Sequence, residues 1–229
     1  MQRIRHWVLA VAAVLWVAAP ASASTIGLAD IQACGAVSTC SAGGATATAI
    51  GGDFSWQSLN GWDGYGVSGG SVEGEIDGGE AIEIAFDAPS LVQSMQLIFL
   101  YEPPTYNDVE HGPTDDEAAS IEAFAGGISL GVVTVQVTGF TTATGGALTN
   151  LSIADETGGG AWLLTSPFGS QPIDLLRITP ANPGPDASYS DLSLGTTTFE
   201  AVPVPEPVSV LLVGAGLVGL GRRRRAWIA

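Results

Sequence analysis

Lysine is absent from this chain, and arginine is almost confined to its ends: Arg3 and Arg5 open it, Arg222, Arg223, Arg224 and Arg225 close it, and Arg177 stands alone between. Against that one basic side chain stand 23 acidic residues, all between Asp30 and Glu206, so this stretch carries a net charge near −22 before His111 is counted. A surface of that sign repels phosphate backbones, whose binding depends on Lys and Arg displacing counterions, and nucleic-acid partners are excluded. It either attracts cations or simply keeps the domain soluble and monomeric through self-repulsion. Histidine is nearly missing too, with His6 in the opening segment and His111 in the body. No structural zinc is expected, because two thiols and one imidazole are too few ligands. A catalytic triad would have to recruit His111, and neither a G-x-S-x-G elbow nor an HExxH helix is present, so the chain is not read as an enzyme. No βαβ rhythm and no repeat of solenoid period occurs.

Long apolar runs are also lacking. The longest near the start, Val8 to Ala19, follows Arg3 and Arg5 and precedes Ala21 and Ala23 at the A-x-A spacing that signal peptidase requires. A dozen apolar residues fall short of the roughly 20 needed to span a bilayer, which favours a removable signal helix over a retained anchor. Cleavage after Ala23 is expected, giving a signal peptide over 1–23, one domain over 24–202 and a tail over 203–229. In an exported chain Cys34 and Cys40, the only cysteines, read as one small disulfide loop.

Gly, Thr, Ser and Ala dominate the body, with short apolar alternations between turn residues, the pattern of many short strands. From Glu80 to Asp87, Ile82, Ile84 and Phe86 share one face while Glu83 and Ala85 take the other. After Ala88-Pro89, Leu91 to Tyr101 is apolar on both faces and reads as a central strand. Val133, Val135 and Val137 alternate with Thr134, Gln136 and Thr138. Weaker strands are expected at Ala147 to Ile153, Ala161 to Thr165, Ile173 to Thr179 and Tyr189 to Leu194, separated by turns such as Gly158-Gly159-Gly160. Thr114 to Glu117 has capping-box spacing, yet a hairpin through Gly126-Gly127 makes Ser120 to Ala125 a strand. Eight to ten strands in about 180 residues predict an all-β fold, an antiparallel β-sandwich of jelly-roll kind, flanked by the signal helix and a C-terminal single transmembrane helix. Trp56, Trp62 and Tyr65 either fill the end of the core or stack on sugar rings.

The tail holds Gly214-Ala215-Gly216-Leu217-Val218-Gly219, a literal dinucleotide-binding fingerprint. Arg222 to Arg225 follow in place of the long helix, returning strand and acidic residue that such a site requires, so NAD and FAD are excluded. Val208 to Gly221 is instead an uncharged segment reaching about 21 Å as a helix, a marginal span that snorkelling arginines must complete. The arginines would stay cytoplasmic by the positive-inside rule. Pro205-Glu206-Pro207, a short Leu/Val/Gly-rich span and the cluster Arg222 to Arg225 together resemble the PEP-CTERM sorting domain of Gram-negative bacteria. That resemblance implies recognition by a membrane-embedded exosortase, cleavage near Pro205-Glu206-Pro207, and a retention role for the arginines. The body is similar to β-sandwich domains found ahead of such tails, in Tyr65-Gly66-Val67 and in Glu80 to Phe86. The resemblance further implies exopolysaccharide or biofilm matrix as partner, after transient residence in the inner membrane.

The expected function is therefore that of an exported, non-enzymatic surface or matrix protein needing no cofactor. The alternative is a calcium-stabilised carbohydrate-binding module, with Glu73, Glu75 and Asp77 in one acidic loop and Asn107, Asp108, Glu110, Asp115, Asp116 and Glu117 in another, since calcium takes six to eight oxygens. Solvated loop carboxylates explain the same residues, because no EF-hand spacing is present. A secreted glycoside hydrolase using two carboxylates is the remaining reading.

Overall fold

In a computed structural model of the chain, residues 22–59, 61–70, 73–101, 117–139, 142–152, 159–181 and 192–203 are described. Residues Ser22–Val202 form one compact unit. The expected signal helix and tail helix lie outside the described residues, among which no helix is long and apolar enough to cross a membrane.

The fold is mostly antiparallel β. In chain order the elements are β1 (Ala23–Gly27), α1 (Leu28–Cys34), β2 (Thr39–Ala42), β3 (Ala45–Ile50), β4 (Asp53–Leu59), β5 (Trp62–Ser68) and β6 (Ala81–Tyr101). Then follow β7 (Ala118–Ala125), β8 (Ile128–Gly139), β9 (Thr142–Thr144), β10 (Ala147–Asn150), β11 (Gly159–Thr165), β12 (Ile173–Pro180) and β13 (Ser193–Ala201). The thirteen strands among the described residues exceed the eight to ten expected; β1 to β3 are built largely from Ala, Thr, Ser and Gly, whose alternation carries little apolar contrast, and β4 and β5 interleave Asp, Gln, Ser and Gly with their aromatics. The helix α1 was missed for a related reason: seven residues give too short a period to read, and its start rests on the Gly27 amide donating to Asp30 Oδ2 at 3.1 Å. A disulfide joins its last residue, Cys34, to Cys40 on β2.

β6 organises the sheet. The expected break at Ala88-Pro89 does not end it; the 21-residue strand runs through, with Pro89 exposed and its carbonyl accepting from the Val202 amide at 2.8 Å. Its first half pairs with β3 on one side and β12 on the other, and its second half with β13 and β11. Ile82, Ile84 and Phe86 are buried while Ala85 is exposed, as the alternation predicted.

The second half is buried on both faces by a device the sequence did not announce. Opposite β11, Leu100 pairs with Gly160 and Ile98 with Ala161, leaving Phe99 as the extra residue of a bulge, at φ 61°. The bulge resets the alternation, so Leu97 and Leu100 join the main core while Ile98 and Phe99 form a smaller cluster with Ala161.

The hairpin expected through Gly126-Gly127 joins β7 to β8, with both glycines at positive φ, 58° and 76°, as a two-residue primed turn requires. Val135 and Val137 are buried and Val133 is half-buried. The strand expected at Tyr189 to Leu194 is described only from Leu192, and β13 runs Ser193–Ala201, beyond the expected end, with Thr197 and Phe199 continuing the buried alternation.

Candidate functional site

Three places merit a functional reading: the two exits of the body, the acidic residues between β5 and β6, and the aromatics of the β4–β5 hairpin.

The body enters and leaves through paired strands. Ala23 stands opposite Glu200, and Ile26 opposite Thr197, in the antiparallel β1–β13 ladder. Cleavage after Ala23 would leave Ser24 to Gly27 still paired. β13 ends at Ala201, and the Val202 amide is held by Pro89, so the ladder continues to within three residues of Pro205. Pro205, Glu206, Pro207 and Arg222 to Arg225 lie outside the described residues, as does Ala21.

The alternative reading as a calcium-stabilised module would draw ligands from Glu73, Glu75 and Asp77 in one loop, with solvated carboxylates as the competing explanation. The structure separates them. Glu73 is exposed, whereas Glu75 and Ile76 make strand-like bridges to Val67 and Leu192, with the Ile76 amide donating to the Leu192 carbonyl at 2.7 Å. Glu75 lies against β4, where Gln57 Nε2 donates to its carboxylate, and the chain past the bridged pair enters a turn at Asp77. Asp108, Asp115 and Asp116 lie outside the described residues, and so do Asn107 and Glu110. Glu117 is buried and its carboxylate accepts from the Tyr101 amide, which makes it part of the β6–β7 framework. Among the described residues no three His, Cys, Asp or Glu side chains converge on a point.

Asp77 has a different partner, Glu80, which the sequence reading had placed only as the polar start of a strand. Asp77 to Glu80 form a turn in which the Glu80 amide donates to the Asp77 carbonyl at 2.8 Å and the Asp77 amide donates to Glu80 Oε2 at 3.1 Å. Asp77 is 1% exposed and Glu80 6% exposed. Glu80 Oε1 is buried without a hydrogen-bond partner. Burial first, and then the neighbouring Asp77 carboxylate, push the Glu80 carboxyl above its ordinary range.

Glycine backbone packs round this pair. A Cβ on Gly70 would lie 1.9 Å from Asp77 Oδ1, and one on Gly69 would meet the Gly51 carbonyl oxygen at 3.3 Å and Glu80 Oε1 at 3.5 Å. Any side chain at residue 70 would displace the Asp77 carboxylate. The signal that would have found the pair is the Asp-Gly-Gly-Glu turn just ahead of an alternating strand, read together with the glycine doublets at 51–52 and 69–70.

Of Trp56, Trp62 and Tyr65, the last two pack into the interior and the first stays exposed. Tyr65 is fully buried edge-on to Phe54, ring centroids 6.0 Å apart, and Trp62 packs on the smaller core cluster. Trp56, paired with Tyr65 in the ladder, is 41% exposed. The body's one arginine, Arg177, lies on β12 between Glu83 of β6 and Glu122 of β7. Its Nε donates to Glu83 Oε1 at 2.8 Å, and its guanidinium sits 5.8 Å from the Phe124 ring centroid.

Residues 203–225 match the family model of the PEP-CTERM protein-sorting motif. Neither the curated proteins nor the solved structures hold a match to the chain. The motif implies export, membrane-associated sorting and processing by an exosortase-type enzyme. It covers the tail and leaves the body to be read from its own residues.

Proposed function

We propose that this chain is an exported, non-enzymatic protein of the cell surface or extracellular matrix, held briefly in the inner membrane by its tail and then processed. The carrying observation is the sorting motif over residues 203–225, ahead of which Pro205-Glu206-Pro207 would be the processing site and Arg222 to Arg225 the cytoplasmic retention cluster. Signal peptidase would act first, after Ala23.

For the body we propose an antiparallel sandwich of jelly-roll kind, supported by the way β6 serves one pair of neighbours with its first half and another with its second. Contact with exopolysaccharide is the reading we favour for it. Two surface features support that: the exposed Trp56, and the strip Ile128, Leu130 and Val132 on β8, the last 54% exposed.

The test uses the full-length chain in a host that has the sorting enzyme. Glu206→Ala, and separately Arg222 to Arg225 changed to Ala, should each alter the size or the location of the mature protein. Unchanged size and location in both variants would refute the sorting reading. A glycan-array screen of the exported protein, with Trp56→Ala alongside, tests sugar contact; the variant should lose the signal.

A further inference from the structure

β13, the strand that leads into the sorting tail, lies between β1 and β6. Its last buried side chain is Phe199, 2% exposed, with its ring centroid 4.7 Å from that of Phe86. Beyond Phe199 no side chain is buried up to residue 202: Glu200 and Val202 are half-buried and Ala201 is exposed. Backbone pairing holds these three residues. Glu200 stands opposite Ala23 of β1 and Leu91 of β6, Ala201 opposite Ser90, and the Val202 amide donates to the Pro89 carbonyl at 2.8 Å. Gln93 Nε2 adds a side-chain bond to Glu200 Oε2 at 3.3 Å. Hydrogen bonds at a partly exposed strand end stabilise only modestly, because water replaces them when they break. A firm anchor followed by a lightly held end peels as far as the anchor and no further.

Only Pro203 and Val204 separate this held end from Pro205 of the sorting motif. A protease takes its substrate as an extended strand, so residues already paired in a sheet are withheld from it. We propose that Glu200, Ala201 and Val202 form a latch that regulates processing of the tail: closed on β6 it withholds the approach to Pro205-Glu206-Pro207, and peeled back to Phe199 it presents that approach to the sorting enzyme. This inference rests on the sorting reading above. Peeling turns two free residues before Pro205 into five, about 17 Å of extended chain at roughly 3.3 Å per residue. The expected cleavage after Ala23 would remove the residue that faces Glu200 on β1, leaving the latch held from β6 alone. Signal removal would thereby ease the processing of the tail.

The experiment follows conversion of the full-length chain to its mature size by pulse-chase labelling, in a host that has the sorting enzyme. A Gly-Ser linker of about six residues inserted between Val202 and Pro203 supplies free chain without opening the latch. It should speed conversion by about tenfold, the population ratio that two backbone bonds maintain. Ser90→Cys combined with Ala201→Cys locks the latch. The Val202-to-Pro89 bond makes Ser90 and Ala201 a non-hydrogen-bonded antiparallel pair, with Cα atoms about 4.5 Å apart, which a disulfide can bridge. The cross-linked chain should convert about tenfold more slowly or not at all, and each single variant at the wild-type rate. Adding the linker to the cross-linked chain should restore conversion, which separates locking from misfolding. A linker without effect, or a cross-linked chain that converts at the wild-type rate, refutes the latch; should the cross-link not form, the linker decides alone. Glu206→Ala in the same assay keeps the two readings apart. If it stops conversion while the linker and the cross-link change nothing, the latch falls and the sorting reading stands. If Glu206→Ala converts normally, the sorting reading falls and takes the latch with it.

Discussion

Replacing Glu80 by Gln should stabilise the domain at pH 8. In wild-type protein at pH 8, folding carries the Glu80 carboxylate into a site where it is 6% exposed, with Oε1 unpartnered and Asp77 beside it. Glutamine keeps an oxygen for the Asp77 amide and replaces the orphan oxygen with a donor that suits the neighbouring Asp77 carboxylate. Removing one uncompensated buried charge and one unsatisfied acceptor is worth about 1–3 kcal/mol. At about 2–4 °C per kcal/mol for a domain of this size, the melting temperature should rise by about 2–12 °C. The pH dependence has a definite sign. Because the Glu80 carboxyl is raised in the folded state, the native protein binds more protons than the unfolded chain between the ordinary carboxylate value and the raised one. Wild-type stability therefore falls as pH climbs through that window. Below about pH 4 both states carry the proton and the two proteins should melt together, while the gap opens toward pH 8. Thermal melts followed by circular dichroism at several pH values measure this. A variant that melts below wild type at pH 8, or a gap that ignores pH, would refute the reasoning.

Tyr65→Phe should cost nothing and gain about 1 kcal/mol in denaturant titration, because the hydroxyl is buried without a partner and burial pushes its proton loss far above the usual range. Changing Cys34 and Cys40 both to Ser opens a loop of sequence separation 6 and should lower stability by about 2 kcal/mol, with the wild-type protein falling to the same level under reductant. Arg177→Ala should cost only about 1 kcal/mol, since the arginine is 47% exposed and its pair with Glu83 is screened; the loss should shrink in 1 M salt to what the Phe124 contact contributes.

The strands with high apolar contrast were legible from sequence. Ile82, Ile84 and Phe86 alternate with Glu83 and Ala85, and the valines of β8 alternate with Thr and Gln, so period two is plain there. Strands β1 to β3 were not legible, because Ala, Thr and Gly sit on either face at little cost and their burial is imposed by what covers them. At the candidate site, Asp77 was singled out but for the wrong companions. Sequence proximity suggested Glu73 and Glu75, yet Glu75 is held by Gln57 of β4, and the turn that begins at Asp77 brings the Glu80 carboxylate onto the Asp77 amide.

From sequence alone came the sorting tail, the acidic charge with its single internal arginine, the all-β character and the cysteine pair. Each depends on residue type and short-range spacing: processing enzymes read a linear segment, charge is a sum, and two cysteines this close have only each other. Only the tertiary structure decided that Phe99 is a bulge which turns both faces of β6 inward, and that Asp77 and Glu80 are buried together beneath Gly51, Gly69 and Gly70. Burial is conferred by segments far apart in the chain, and an acidic side chain has its carboxyl raised only when those segments remove the water that would otherwise solvate its charge.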